Sequence, residues 1–351
     1  MGALDRCDLR ARVQKALDGF LSVQGPRLAR VSDELEPLTE ALTDLVAGGK
    51  RLRPAFCFWG ARGAGLDDSE ALVVAAASLE LFQACAIIHD DVMDGSDTRR
   101  GQPAAHRRFA ALHRGADWHG DPETFGAGAA ILLGDLALAW SDEMLSTSGA
   151  PGLAQGLAVY AGMRSELMGG QYLDLLEQAR GGGSVERALT VARYKSAKYT
   201  IEKPLHLGAA LAGAPPEQYD AYSRYGLPLG EAFQLRDDVL GVFGDPAATG
   251  KPAGDDLREG KRTVLVAMAL ERADTAQAGI VRRHLGDPHL GEQGVADLRQ
   301  VLVDTGALAR VEELIEQRMV EVASALAAAP VTAEAREVLG ELAVAATARS
   351  V

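Results

Sequence analysis

Cysteine is scarce in this sequence: Cys7, Cys57 and Cys85 in 351 residues. An odd number without metal-ligand spacing excludes a disulfide framework and points to reduced thiols. Positive charge is also in deficit. Lys and Arg sum to 36 against 49 Asp and Glu, a net charge of −13, which argues against a nucleic-acid partner but leaves room for a local basic pocket. No run of about 18 uncharged apolar residues stands out, so no transmembrane segment is expected. The opening MGALDRCDLRARVQ lacks the apolar stretch of a signal peptide. A cytoplasmic protein is the expectation. Strict strand-like alternation, internal repeats and a composition shift marking a domain boundary are missing as well.

What is present reads as helix. Charged residues make up 24%, the hydrophobic set 47% and aromatics only 5%. Val13, Leu17, Phe20 and Leu21, then Leu35, Leu38, Leu42 and Leu45, recur mainly at spacings of three and four. A long apolar run from 69 to 93 suits a core helix. Further helices are expected at about 128–147, 152–178, 185–213 and 216–243, with polar Gly/Pro-rich loops at 111–126 and 244–262. The fold class expected is all-α, one domain over residues 1–351.

Two aspartate clusters carry the chemistry. HDDVMD at 89–94 places Asp90, Asp91 and Asp94 at the end of the apolar run. On a helix Asp90 and Asp94 lie about 40° apart and share a face. Crowded carboxylates on an apolar helix need neutralising, and hard oxygen ligands suit Mg²⁺, which commonly bridges to substrate phosphates. In FQLRDDVLG at 233–241, Gln234, Asp237, Asp238 and Gly241 form one stripe. That cluster has two carboxylates, and Asp245 lies too far along the chain to be a simple third. Cations answer them. GGKRLRP at 48–54 puts Lys50 and Arg53 three apart, Arg99 and Arg100 follow Asp94, and Lys195, Lys198, Lys251 and Lys261 lie further on. No nucleophile constellation accompanies them. His89 beside Asp90 mimics the pair of a metal phosphohydrolase, but no further histidine ligands are evident. The combination favours departure of a diphosphate assisted by metal and cations.

In order, GGKRLRP, ELFQACAIIHDDVMD, DTRRGQPAAH, LLGD, GGQYLD, YKSAKYT and FQLRDDVLGVFGD followed by TGKPAGDDLREGKRT resemble the trans-isoprenyl diphosphate synthase (polyprenyl synthetase) family. The wording is most similar to actinobacterial geranylgeranyl diphosphate synthases. The resemblance implies a helical bundle around a deep apolar cavity, a homodimer, and head-to-tail condensation of isopentenyl diphosphate with an allylic diphosphate. It implies that Asp90, Asp91 and Asp94 bind two Mg²⁺ and that Asp237, with Asp238, binds a third, Mn²⁺ being able to substitute. Arg99, Lys195, Lys251 and Lys261 would hold the allylic diphosphate, with Gln171 and Asp174 at the same end. Lys50, Arg53 and Arg100 would hold isopentenyl diphosphate, with Gln83 nearby. Asp90, Asp91, Arg99, Lys195 and Gln234 would be catalytic. The Gln234 oxygen and the backbone carbonyl at Ser196 would stabilise the allylic cation. Gly241 stands where many members of that family have a third aspartate, and weaker metal affinity rather than loss of activity is the expected consequence, since Asp237 and Asp238 remain.

Cys85 and Ala86, five and four residues before Asp90, are small, unlike the aromatic pair of many farnesyl diphosphate synthases. Phe82 lies about one turn deeper and is the expected floor, which suggests geranylgeranyl diphosphate (C20). Farnesyl (C15) or longer products of C25 and above, and a class I terpene cyclase, are the competing readings. A helical subunit without catalysis would not need the intact first motif and basic set.

Overall fold

In the computed structural model, residues 3–181, 183–244 and 254–347 are described. The described chain is almost wholly helical, and the all-α expectation holds. It divides into two compact units. One comprises Met1–Val159, Pro204–Pro215 and Val331–Leu339, the other Tyr160–Lys203, Pro216–Pro330 and Gly340–Val351.

The first unit is built on the helix Glu70–Asp94. Ser69 caps its start by accepting from the Leu72 N–H at 3.2 Å, and its Ala- and Leu-rich interior suits helix. Gly95, at φ 67°, takes the left-handed conformation that ends it. Leu72, Leu79, Leu81, Phe82, Cys85 and Ile88 are all buried, each large apolar side chain contributing about 1.5–3 kcal/mol. The helix Pro122–Ser146 packs beside it, and Ser141 Oγ donates to the Ser78 carbonyl at 2.6 Å. Gly134 is required there, since a Cβ would stand 2.2 Å from His89 Nε2. Helix Leu52–Gly63 contributes fully buried Phe56, Phe58 and Trp59.

The second unit centres on the helix Pro216–Phe243, packed on Ala307–Ala328 and on Ala192–Glu202. Leu235, Val239, Leu265, Leu298 and Val311 form its core. Buried Glu231 accepts from Arg193 at 2.6 and 2.8 Å and from Arg318 at 2.7 Å. Arg236 grips Glu312 with two parallel bonds of 2.6 and 2.7 Å.

Several expectations need correction. The loop expected at 111–126 is mostly helix: Ala105–Gly115 runs into it, and the next helix starts at Pro122. Asp121 is an N-cap accepting from the Thr124 N–H at 2.9 Å, and Pro122 occupies the first turn, where a missing N–H costs nothing. The helix expected over 185–213 is α-helical at both ends but π-helical over Ala192–Glu202. A short hairpin, Thr98–Arg99 with Gln102–Pro103, interrupts the helices. Within 244–262 a helical turn covers Asp255–Arg258. By length and composition alone Glu70–Asp94 and Pro122–Ser146 could cross a membrane, which does not overturn the expectation of no transmembrane segment. The first is a core helix, its apolar window 72% buried.

Candidate active site

In the first unit, Asp90, Asp91 and Asp94 occupy the last turn of Glu70–Asp94. A helix C-terminus carries about half a negative charge, so three carboxylates there oppose the dipole and one another. Only cations stabilise such an arrangement. One is present: Arg99 donates through Nε to Asp91 Oδ1 at 2.9 Å and through Nη2 to the same oxygen, with Asp90 Oδ2 at 3.7 Å. Asp91 is 2% exposed and Arg99 18%. The hairpin sets this up. Its two-residue loop, Arg100 and Gly101, has φ values of 54° and 75°, both left-handed as a tight hairpin turn requires.

The same turn sends Arg100 the other way. With Gln83, Glu80, Ala84, Ile87, Leu45 and Val46 it lines a small, open cleft. Arg100 Nη1 donates to the Leu45 carbonyl at 3.1 Å. Desolvation weakens its hold on its proton, Glu80 strengthens it, and nearby Arg51, Arg53 and Arg99 weaken it again. Gly49 takes φ 93°, a left-handed backbone that favours glycine, and a Cβ placed on it would stand in ordinary contact with Arg100 Nη1 at 3.8 Å. Arg53 is 9% exposed in the first turn of Leu52–Gly63, and Lys50 is exposed. The structure therefore brings Gln83 and Arg100 into one cleft, with Arg53 close enough to be felt.

Arg51 is a residue whose structural role the sequence did not reveal. It is buried and donates to Glu80, to Gln14 and to the Val46 carbonyl. Of the three clustered cations it is the structural tie. His89 is likewise occupied structurally, with Nε2 3.1 Å from the Ile131 carbonyl.

Phe82 is 1% exposed, Cys85 is 3% exposed and Ala86 is half-buried. Burial pushes the Cys85 thiol up to about 12, with Asp135 adding to it, so Cys85 behaves as a small apolar group. By helix rotation Phe82 stands about 80° round from Asp90, whereas Leu79 stands within about 20°.

In the second unit, Asp237 and Asp238 lie near the C-terminal end of Pro216–Phe243, again against the helix dipole. Asp238 is 6% exposed. Its carboxyl is pushed up to about 8 by desolvation, against the hydrogen bond from Gln234, with Asp256 and Asp237 raising it further and Lys261 lowering it. Gln234 Nε2 donates to Asp238 Oδ1 at 2.7 Å. Lys261 pairs with Asp256 at 3.2 Å and Glu259 at 2.8 Å.

Lys195 Nζ donates to Asp174 Oδ2 at 2.5 Å, and Gln171 lies half-buried one turn earlier. Lys195 and Ser196 belong to the π-helical stretch. Glycines clamp it from both sides: a Cβ on Gly170 would meet Lys195 N at 2.4 Å, and one on Gly230 would meet Ala197 Cα at 2.6 Å. Inserted π turns displace backbone carbonyls from the regular helical ladder and recur at functional sites. Lys198 pairs with Glu166 at 3.0 Å and Glu202 at 3.7 Å, a structural use. Lys251 lies outside the described residues.

Among the described residues, no three His, Cys, Asp or Glu side chains converge as a ready cage for metal. The donor set nevertheless fits Mg²⁺. This ion keeps several waters and takes one or two carboxylates together with substrate phosphates, and both clusters offer hard oxygens at helix ends that need positive charge.

Comparison with known proteins gives a consistent result. A family model described as polyprenyl synthetase matches residues 35–302. A geranylfarnesyl diphosphate synthase of Aeropyrum pernix is 33% identical over 333 residues, covering 92% of this chain and 94% of that one. A (2E,6E)-farnesyl diphosphate synthase of Mycobacterium tuberculosis is 32% identical, covering 83% of this chain and 77% of the relative. The crystal structure of a geranylgeranyl pyrophosphate synthase from Corynebacterium glutamicum, complexed with isoprenyl diphosphate and magnesium, has a TM-score of 0.94 at 43% identity. It covers 97% of this chain and 99% of the other.

Proposed function

The chain belongs to the polyprenyl synthetase family, and from that premise we propose that it condenses isopentenyl diphosphate head-to-tail with an allylic diphosphate to make geranylgeranyl diphosphate. Prenyl transfer is the activity of its relatives; the C20 product is the finer step. The observation that carries the reading is the stacking of Asp90, Asp91 and Asp94 against a helix dipole, with Arg99 already holding Asp91.

In this reading Asp90, Asp91 and Asp94, and separately Asp237 with Asp238, would hold divalent metal, which lowers the cost of charge building on a departing diphosphate. The ions are proposed as three Mg²⁺, with Mn²⁺ as a substitute. Arg99, Lys195, Lys251 and Lys261 bind the allylic diphosphate as charge-assisted donors. Arg99 and Lys195 exchange their carboxylate partners for phosphate oxygens when substrate arrives. Gln171 and Asp174 orient Lys195. Lys50, Arg53 and Arg100 bind the second diphosphate, with Gln83 beside Arg100 in the cleft. The C1–O bond of the allylic substrate breaks, its electron pair leaving with diphosphate. The Gln234 oxygen and the Ser196 carbonyl face the resulting cation with partial negative charge. The isopentenyl double bond attacks, and a proton leaves to the departed diphosphate. Phe82, Cys85 and Ala86 set the length of the product. The solvent-exposed Ile131 and Leu132 of Pro122–Ser146, 46% and 64% exposed, support a homodimer, which light scattering checks.

Incubating the chain with Mg²⁺, isopentenyl diphosphate and each of the C5, C10 and C15 allylic diphosphates, then weighing the products, tests the reading. A C20 diphosphate is expected. Products of C15, or of C25 and above, would overturn the length assignment and leave the reaction class intact.

A further inference from the structure

The stretch Ala192–Glu202 carries Lys195 and Ser196 and is wound as a π-helix, a form rare beyond single turns. Regular α-helix is the cheaper winding, so the π turns need support from outside the segment. Lys198 and Lys203 show where it comes from. Their Nζ atoms pair with the two oxygens of one carboxylate, Glu166, at 3.0 and 3.1 Å. In an α-helix, residues five apart point about 140° away from each other. A π turn, closed by i→i+5 hydrogen bonds, stacks them instead, and the Lys203 N–H does donate to the Lys198 carbonyl. We propose that Lys198, Lys203 and Glu166 form a clamp that selects the π register and thereby positions the Lys195 ammonium and the Ser196 carbonyl for the reaction. The inference rests on the prenyltransferase reading and deepens its allylic site.

One face of a single helix serves the whole stretch. Glu166, Gly170 and Asp174 recur every four residues on Leu153–Arg180, so they share a stripe. Asp174 accepts from Lys195 Nζ. Gly170 lets the backbone at Tyr194 and Lys195 approach, since a Cβ there would stand 2.6 Å from the Tyr194 carbonyl carbon. Glu166 takes the two lysines at the far end of the stripe. The clamp is anchored on a second side as well. Lys198 Nζ lies 3.7 Å from Glu202, whose carboxylate accepts from Ser223 Oγ of Pro216–Phe243 at 2.7 Å. Lys198 Nζ also sits 4.9 Å from the centre of the Tyr194 ring, the residue just before Lys195. Burial works against charge here, yet the pairing wins. The Glu166 carboxyl is held below its ordinary value by the two lysines, and Lys198 is held above its own by Glu166 and Glu202.

Two consequences separate a register clamp from ordinary ion pairs. The register needs both lysines, so losing the second after the first should add little further damage. A cation that reaches Glu166 from position 203 should restore activity, whereas an apolar chain of similar reach should not.

The test uses the full chain. Amide hydrogen exchange over residues 192–203 reads the register without substrate. The kcat and KM values are read with Mg²⁺ and both diphosphates, well below the unfolding temperature. Lys203→Met should speed exchange in this segment about tenfold and lower kcat about tenfold, with the KM for isopentenyl diphosphate within about twofold of wild type. Lys203→Arg should return exchange and kcat to within about threefold of wild type. Lys198→Met combined with Lys203→Met should fall no more than about threefold below Lys203→Met alone. If Lys203→Met fails to fold, Glu166→Gln, which removes the shared charge at nearly unchanged size, is read in the same way. Exchange equal to wild type in Lys203→Met or Glu166→Gln overturns the clamp. Faster exchange with an unchanged kcat overturns the positioning role, as does a Lys203→Arg variant no better than Lys203→Met. A wild-type chain that does not condense the two substrates overturns the prenyltransferase reading and the positioning role with it, while exchange still judges the clamp.

Discussion

The two aspartate clusters solve one electrostatic problem in different ways. HDDVMD is local. Its three carboxylates come from one helical turn, and its cation, Arg99, arrives through a hairpin that begins four residues later. RDDVLG is distributed. It supplies Asp237 and Asp238, while Asp256 and Lys261 come from further along the chain. A local cluster is set by helix periodicity and resists drift. A distributed one depends on tertiary packing that brings separate stretches of chain together.

Single substitutions should reveal that difference most clearly. Asp90→Ala should lower kcat by about 10³-fold at saturating Mg²⁺, whereas Asp237→Ala should cost about 10²-fold because Asp238 remains. Steady-state rates on both variants check this, and equal losses would erase the contrast. Next in size, Arg99→Met leaves Asp91 buried beside Asp90 without its guanidinium. Urea unfolding without metal should show a loss of about 2–3 kcal/mol.

The pH dependence of the metal-free chain sharpens the comparison further. The Asp238 carboxyl is raised from its ordinary 3.8 to about 8, so between these values the unfolded chain releases this proton and the folded chain keeps it. The Asp238 contribution to stability is therefore intact below about pH 4, falls as pH rises through about 8, and is flat above. In EDTA, Asp238→Asn should remove that decline, and Mg²⁺ with diphosphate should stabilise wild type more than the variant at pH 8. The smallest effect is expected deep on the first helix, where Phe82→Ala should shift product towards C25 with little change in rate. If Leu79→Ala lengthens product and Phe82→Ala does not, the floor lies on the line of Asp90 instead.

Legibility in the sequence follows the same division. HDDVMD stands out because three carboxylates end an apolar run, and the all-helical class follows from spacings of three and four. Asp256 does not stand out. Nothing in a run of polar residues indicates which of them stands over position 241, since that is set by tertiary packing and not by local pattern. The segment 111–126 looks like a loop because Asp, Pro and Gly also mark turns. Asp121-Pro122 is instead a cap and first turn, a reading available from the Thr124 spacing. The π-helical stretch has no local sequence signature. It reflects close approach by Gly170 and Gly230 from two other helices, which is tertiary packing overriding propensity.

Prenyl transfer itself is tested most directly by stoichiometry. With Mg²⁺, an allylic diphosphate and isopentenyl diphosphate, one inorganic diphosphate should appear for each isopentenyl unit incorporated, and none when isopentenyl diphosphate is withheld. Diphosphate released from the allylic substrate alone, with no chain extension when isopentenyl diphosphate is supplied, would contradict condensation and mark a cyclase.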